Sequence, residues 1–171
     1  MPRKFDHTAS STHSVSAVHA AFTSEQYWKD RTEAVGGPNA ELTSVTVEGD
    51  DPDTRTVRIE LKQAIAEDLL PSAITAIRPG DLIINRIESW GSVDARGSAG
   101  TFEANVEGAP AGLRGTLTLS SKGNGSTFTT NGAAEVKVPI FGGKIESAVI
   151  EQVLQLIDAE HEFTEEWVGK H

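Results

Sequence analysis

Lys144–Val168, which reads KIESAVIEQVLQLIDAEHEFTEEWV, is the most regular segment of the chain and decides its fold. Its apolar residues recur at the three- and four-residue spacing that places them on one side of an α-helix. A helix of about 25 residues is roughly 37 Å long at 1.5 Å per residue, enough to cross a whole curved sheet. The residues on its apolar side are Ile145, Ala148, Val149, Val153, Leu156, Ile157, Phe163 and Trp167.

Several short segments before this helix alternate between apolar and polar residues, which is typical of β-strands with one buried face. Val57, Ile59 and Leu61, for example, alternate with charged residues. Because these segments follow one another without long helices between them, they predict antiparallel pairing. The predicted strands are Arg3–Ser10, Glu41–Glu48, Thr56–Ile65, Asp81–Val93, Gly97–Val106, Leu113–Ser120 and Ser126–Val138.

Three short helices are predicted between these strands. Ser14 is placed to cap the first of them. Thr23-Ser24-Glu25-Gln26 has the spacing of a capping box, which predicts a second helix with Thr23 as its N-cap, and Gly36-Gly37-Pro38 ends that helix. Leu69–Ile77 carries apolar residues at helical spacing and predicts a third, amphipathic helix, which we interpret as a mobile lid.

The elements predict a single α+β domain over residues 1–171, in which a seven-stranded curved antiparallel sheet surrounds the long C-terminal helix. Two short helices follow the first strand. Small residues recur on the predicted concave face, and a curved sheet lined by small residues leaves volume against one helix. The alternative is that Tyr27, Trp28 and Trp90 fill that volume.

Short sequence words spread over nearly the whole chain resemble an uncharacterised bacterial family of the START-like (SRPBCC) helix-grip superfamily, which is similar to polyketide cyclases/dehydrases and lipid-transport proteins. The resemblance implies a helix-grip fold and a ligand cavity, because the wider superfamily binds lipids, sterols, polyketides and plant hormones. It implies no shared chemistry. The words are Tyr27-Trp28-Lys29-Asp30-Arg31, Gly36-Gly37-Pro38-Asn39-Ala40-Glu41-Leu42, Pro79-Gly80-Asp81-Leu82, Glu88-Ser89-Trp90, Gly100-Thr101-Phe102, Val138-Pro139-Ile140-Phe141-Gly142-Gly143-Lys144-Ile145-Glu146 and Glu162-Phe163-Thr164-Glu165-Glu166-Trp167.

Charge and composition exclude several classes of partner. The formal net charge is −10, with 25 Asp and Glu against 15 Lys and Arg, so a nucleic-acid partner is not expected. No apolar run approaches the roughly 20 residues of a membrane-spanning helix, so no stable membrane insertion is expected. The chain has no cysteine and a polar N-terminus without a signal peptide, and we expect a cytoplasmic location.

Three segments partly match catalytic or cofactor-binding motifs, but each lacks a residue that its motif requires. Gly142-Gly143-Lys144 lacks the earlier glycine and the following Ser or Thr of a phosphate-binding loop. His161-Glu162-Phe163-Thr164-Glu165 ends in Glu where a zinc-binding helix needs its second His, and His161 and Glu165 are interpreted as a solvated ion pair. Ser98 lacks the first glycine of a nucleophile elbow. No catalytic residue, metal site or cofactor is therefore predicted.

Polar residues with two possible roles accompany the apolar candidates for a ligand cavity. Arg86 and Glu88 share one face of their strand. Since both faces of that strand carry apolar residues, the pair either orients a ligand inside or forms a surface ion pair. The candidate cavity residues are His7, Ile59, Leu61, Leu69, Ile74, Arg86, Glu88, Trp90, Phe102, Leu117, Phe128, Val149, Val153, Leu156 and Phe163.

The favoured function is binding or carriage of a small apolar molecule that is lipid-, sterol- or polyketide-like, with His7 or Arg86 setting its orientation. One alternative is an enzyme of the cyclase or hydratase type acting on an apolar ketone, with His7 and Glu88 as acid and base. Another is a protein-interaction module, without a ligand, that uses the Leu69–Ile77 surface or the acidic face for a partner. The oligomeric state is left open.

Overall fold

The computed structural model describes residues 2–76, 79–137 and 142–171. The predicted end points Ile77 and Val138 lie outside these ranges. Within them, seven strands form one antiparallel sheet in the order β1-β7-β6-β5-β4-β3-β2, which confirms the predicted fold class. The strands are β1 Arg3–Ser11, β2 Glu41–Glu48, β3 Thr56–Ile65, β4 Leu82–Trp90, β5 Gly97–Val106, β6 Ala111–Lys122 and β7 Gly125–Val136.

The helices follow the predicted order, and one cap differs by a residue. Ser14 caps the first helix (α1, Val15–Phe22), and Ser24, rather than Thr23, caps the second (α2, Glu25–Val35), because the Ser24 hydroxyl accepts the Tyr27 N–H at 3.4 Å. The Thr23 hydroxyl instead donates to the His19 carbonyl at the end of α1. The helices are α1 Val15–Phe22, α2 Glu25–Val35, α3 Ser72–Thr75 and α4 Gly142–Lys170.

The segment predicted as a lid helix is not one continuous helix. It consists of a 3-10 turn, Glu67–Leu69, followed by the single turn of α3, and Pro71 stands before α3. Proline has no N–H to donate within a longer helix, which explains the break at this point. Leu69 is 67% exposed whereas Ile74 is buried, so only part of the segment packs on the core.

Two glycines leave the middle of the concave face of the sheet without side chains. Gly132 and Gly115 pair with each other across β7 and β6, and they separate Phe5 on β1 from Phe102 on β5. A Cβ at Gly132 would lie 2.8 Å from both phenyl rings, so the rings rest directly on the backbone. The absence of side chains at the glycines brings these rings close to the sheet.

Aromatic side chains occupy one part of the space between the sheet and the helices. Tyr27 and Trp28 on α2 are fully buried, and Phe22 on α1 stacks on Trp90 at 4.8 Å between ring centroids. The Trp28 indole N–H donates to the Phe22 carbonyl at 2.7 Å. The aromatic residues thus fill this part of the core, as the alternative interpretation of the sequence expected, and space remains elsewhere.

α4 lies along the concave side of the sheet. Its buried residues Ile145, Val149 and Ile150 belong to the same apolar core as β3–β7. In the part of the chain that the structure describes, no helix is long and apolar enough to cross a membrane.

Candidate functional site

The strand register places Arg86 and Glu88 on the concave face. Arg86 pairs with Leu61 and Ala104 on the neighbouring strands, and Glu88 pairs with Ile59 and Phe102. Glu88 is only 2% exposed. The interpretation of this pair as an exposed surface ion pair is therefore wrong, since both side chains lie inside the molecule.

Two further charged residues complete a buried cluster with this pair. Arg86 Nη2 lies 2.7 Å from Glu88 Oε1, and Arg86 Nη1 lies 2.7 Å from Glu160 Oε2 on α4. Arg31 on α2 contacts the other Glu160 oxygen, Oε1, at 2.6 Å and approaches Glu88 Oε2 at 3.8 Å. Two arginines and two glutamates thus alternate in a closed arrangement that links α2, β4 and α4.

Neighbouring groups satisfy the remaining polar atoms of the cluster. The Gln63 amide on β3 donates to Glu160 Oε2 at 3.0 Å, and its oxygen accepts from Arg86 at 3.2 Å. The Arg31 guanidinium lies over the Trp28 ring at 4.7 Å, a cation–π contact. The cluster is electrically balanced, and we call its side of the molecule the ionic side (Arg31, Arg86, Glu88 and Glu160).

The charges hold one another ionised against the cost of burial. Burial by itself would raise the pKa of the Glu160 carboxyl, but Arg31 and Arg86 outweigh it and lower the pKa to about 2. The pKa of each arginine is raised, although burial opposes it, by the two glutamates. Glu160 is therefore a carboxylate at neutral pH and has no proton to donate as a general acid.

Beside the ionic side lies a pocket of about 70 Å³ between the sheet and α4, which we call the inner pocket. Its walls are mainly apolar, from α1, β4–β7 and α4. The predicted residues that line it are Arg86, Glu88, Phe102, Leu117, Phe128, Val153 and Leu156; lining residues that sequence reasoning missed include Phe22, Arg31, Gln63, Leu119, Thr130, Glu160 and Glu165.

The other predicted cavity residues do not line this pocket. Some are buried in the surrounding core, Phe163 packs on Tyr27 at 5.9 Å between centroids, and Leu69 faces solvent. The pocket lies against β5–β7, where the concave face carries small residues. The predicted residues on β3 and in the first turns of α4 therefore pack in the core beside it. The residues away from the pocket are His7, Ile59, Leu61, Leu69, Ile74, Trp90, Val149 and Phe163.

His7 lies on the same face of β1 as Phe5 and points toward α4, as predicted, but it contacts the helix rather than the pocket. Its Nε2 donates to Asp158 Oδ1 at 2.6 Å. His7 and Glu88 therefore do not face a common space, and the acid–base pair required by the enzyme alternative does not form.

The end of β1 is attached to α4 by polar contacts. His161 Nε2 donates to the Ser10 carbonyl at 2.9 Å, and Glu165 Oε2 accepts from the Thr12 N–H at 3.3 Å. The His13 ring donates to the Glu165 carbonyl at 3.1 Å. His161 and Glu165 thus bind β1 and the residues after it instead of each other, which corrects the solvated ion pair expected from their spacing.

Two polar atoms on the pocket wall have no hydrogen-bond partner among the described residues. One is Thr130 Oγ1 on β7, a side chain that is 2% exposed, and the other is Glu165 Oε1 on α4. β7 and β4 are three strand spacings apart in the sheet, so Thr130 lies about 14 Å from the Glu88 strand at 4.7–4.9 Å per spacing. We call these two residues the hydroxyl side of the pocket (Thr130 and Glu165). Thr130 pairs with His7 on β1, and Glu165 lies further along, where it binds Thr12.

The incomplete motifs have structural roles in the described ranges. The Ser98 hydroxyl donates to the Gly91 carbonyl at 3.1 Å. Residues 2–76, 79–137 and 142–171 contain no group of three or more His, Asp or Glu side chains arranged to hold a metal ion.

The long helix held by a curved seven-stranded sheet, with two short helices after strand 1, is the arrangement of the START-like helix-grip fold class. Within that class, the chain belongs to the family described as "Protein of unknown function (DUF2505)", whose model matches residues 6–168. A relative in Mycobacterium tuberculosis, the uncharacterized protein Rv0481c, is 35% identical over 170 residues, which cover 98% of each chain.

Solved structures share the fold at low sequence identity. The Zhui aromatase/cyclase from Streptomyces sp. R1128 is 8% identical with a TM-score of 0.57, covering 99% of this chain and 95% of that one. Norcoclaurine synthase from Thalictrum flavum, in complex with dopamine and hydroxybenzaldehyde, is 12% identical with a TM-score of 0.56, covering 100% and 88%. These likenesses concern the fold alone.

Proposed function

We propose that this protein binds a small, largely apolar molecule in the inner pocket, without transforming it chemically. The observation that carries the proposal is the pocket itself, an apolar space between a curved sheet and its helix with polar groups at defined places. Such spaces are the usual form of small-molecule sites, in which apolar walls supply affinity and a few polar groups supply orientation.

The size of the pocket favours a ligand at the small end of the expected classes. Pockets for drug-sized ligands measure about 300–1,000 Å³, whereas this one measures about 70 Å³. A cavity of about 150 Å³ holds benzene, so a single ring enters this pocket only with small shifts of the side chains around it, and a sterol or a long acyl chain would require α4 to move away from the sheet. The norcoclaurine synthase complex, with its two single-ring ligands, supports a ligand of this size.

The ionic side supports a binding role rather than a catalytic one. Glu160 stays ionised and each of its oxygens is bound by an arginine, so it neither donates nor readily accepts a proton. Glu88 is held by Arg86 at 2.7 Å. A general acid or base needs free access to the reacting atom, and these carboxylates are engaged elsewhere.

The interaction-module alternative receives less support. Among the described residues, the large hydrophobic side chains with high exposure are Val47 and Leu69. They lie on β2 and in the turn before α3, so they do not suggest a contiguous apolar patch. The net charge of −10 further supports a small neutral molecule over nucleic acid as the partner, and we propose a cytoplasmic location.

Native mass spectrometry of gently purified protein, followed by extraction and identification of bound compounds, tests the proposal. Ala104→Leu adds three carbon atoms to the pocket wall and is expected to abolish a bound mass that wild-type protein retains at near 1:1 stoichiometry. Ala133→Leu makes the same change on the outer face of β7, opposite Lys4 and Arg114, and is expected to retain it. Equal occupancy in the two variants, or no binding by wild-type protein to any ring-sized compound added, would overturn the proposal.

A further inference from the structure

Polar atoms without partners on a pocket wall indicate what a ligand must offer. Thr130 Oγ1 and Glu165 Oε1 both line the inner pocket, and neither has a hydrogen-bond partner among the described residues. Buried polar groups are nearly always hydrogen-bonded in proteins, so an unpartnered one on the wall of a pocket points to a polar group in that space.

The kinds of atoms involved restrict that group. An ionised carboxylate oxygen only accepts hydrogen bonds, whereas the threonine hydroxyl both donates and accepts. A ligand hydroxyl suits either atom, because it can donate to Glu165 and can either donate to or accept from Thr130. A ligand carboxylate would offer no donor to Glu165 and would add a second negative charge beside it.

The charges of the pocket also disfavour an anionic ligand. The two arginines on its wall, Arg31 and Arg86, are each bound to glutamates at 2.6–2.7 Å, so no unpaired cation on the ionic side is available to anchor a carboxylate. The protein as a whole carries a formal net charge of −10. A fatty acid or an aromatic acid would therefore meet no compensating charge here.

We infer that the inner pocket selects a neutral, ring-sized molecule with a hydroxyl group, a phenol or a cyclic alcohol, whose hydroxyl binds Thr130 on the hydroxyl side, while the charge of Glu165 disfavours an anion. This inference rests on the proposed function and adds to it the chemical class of the ligand. Thr130 and Glu165 determine specificity, while the apolar residues of the sheet and α4 supply affinity.

Three probes built on the same ethyl-substituted ring test the inference: 4-ethylphenol, 4-ethylbenzoate and ethylbenzene. At pH 7 the phenol is neutral and the benzoate is anionic. We expect the phenol to bind about fivefold more tightly than the hydrocarbon, the effect of one net hydrogen bond, and the benzoate to bind most weakly. Dissociation constants come from titrations followed by amide NMR shifts, which also locate the binding site.

Variants assign the preference to its residues. Thr130→Val removes the hydroxyl and is expected to reduce the preference for phenol over hydrocarbon to less than twofold, while Thr130→Ser retains it. Thr129→Val, the same change on the opposite face of β7, is the matched control and is expected to leave it unchanged. Glu165→Gln removes the negative charge and is expected to bring the benzoate closer to the phenol in affinity.

The outcomes separate the two proposals. Equal binding of all three probes, tightest binding of the benzoate, or an unchanged preference in Thr130→Val would overturn the inference and leave the apolar pocket as a binding site. Binding of none of the probes, or shifts confined to residues away from the pocket, would overturn the proposed function as well.

Discussion

The ionic side and the hydroxyl side of the inner pocket differ in how their polar atoms are satisfied, although α4 contributes to both. On the ionic side Glu160 is bound by Arg31, Arg86 and Gln63, and every short contact is 2.6–3.0 Å. On the hydroxyl side Thr130 Oγ1 and Glu165 Oε1 have no partner among the described residues. One side is complete without a ligand and the other is not.

The comparison distinguishes polar groups that stabilise the fold from polar groups that are available to bind a ligand. The four charges of the ionic side pair with one another and hold α2, β4 and α4 together. They are therefore not available to bind a ligand. A single neutral hydroxyl is a weaker chemical feature, but it is free to bind. We therefore expect mutations on the ionic side to change stability and mutations on the hydroxyl side to change binding.

The largest expected effect is that of Glu160→Gln. The variant leaves Arg31 and Arg86 buried with Glu88 as their only carboxylate in the cluster, and loss of one partner of a buried ion pair typically costs about 3–5 kcal/mol. Urea unfolding followed by circular dichroism measures the free energy of unfolding. Glu162→Gln, on the exposed side of the same helix, is the control and is expected to change it by less than about 0.5 kcal/mol. A small loss in Glu160→Gln would mean that the cluster is not structural.

The contribution of Glu160 should also depend on pH. Its pKa is lowered from 4.5 to about 2 in the folded protein, so its contribution is fully present above pH 4.5 and is lost as the pH falls toward 2. The difference in free energy of unfolding between wild-type protein and Glu160→Gln should shrink across this window. Unfolding curves at several pH values between 5 and 2 measure it, and a constant difference would contradict the lowered pKa.

A double variant tests whether charge balance, rather than any one residue, stabilises the ionic side. Arg86→Met alone leaves two glutamates with one arginine, whereas Arg86→Met with Glu88→Leu leaves Arg31 and Glu160 as a balanced pair. We expect the double variant to be more stable than the single variant by about 1–3 kcal/mol, because replacing both partners avoids an uncompensated buried charge. Additive losses would show that balance is not the deciding factor.

The smallest expected effect on stability is that of Thr130→Val. Because the Thr130 hydroxyl is buried without a partner in the described structure, its removal loses no hydrogen bond, and we expect a change within about 1 kcal/mol or a slight gain. Thermal unfolding measures it. Thr164→Val, whose hydroxyl is bound to Tyr27 at 2.6 Å, is the matched comparison and is expected to lose more. A large loss in Thr130→Val would mean that the hydroxyl already has a partner.

Most of the fold could be predicted from the sequence because its signals are local. β2, β3 and β5 begin and end at the predicted residues, and the apolar stripe of α4 identifies the central helix. The errors arise where two local signals compete. Thr23 and Ser24 are adjacent candidates for one cap, and Pro71 interrupts a segment whose apolar spacing favours a continuous helix.

The site was harder to predict because it depends on contacts between distant residues. Arg31 and Glu160 are 129 positions apart, so nothing local indicates that each compensates a charge on β4. The face of Arg86 and Glu88 could not be assigned, since apolar residues occupy both sides of that strand. Thr130 lies two residues after Phe128, and this spacing places both on the same face of β7. That its hydroxyl lacks a partner becomes visible only in three dimensions.

The most direct test of the difference between the two sides is to titrate isotope-labelled protein with 4-ethylphenol and follow the side-chain and amide NMR signals. We predict that the largest shifts occur around Thr130, Leu117 and Phe128, and that the signals of the Arg86 guanidinium and the Gln63 amide change little. Shifts centred on Arg86 and Gln63, with Thr130 unaffected, would contradict the assignment of recognition to the hydroxyl side.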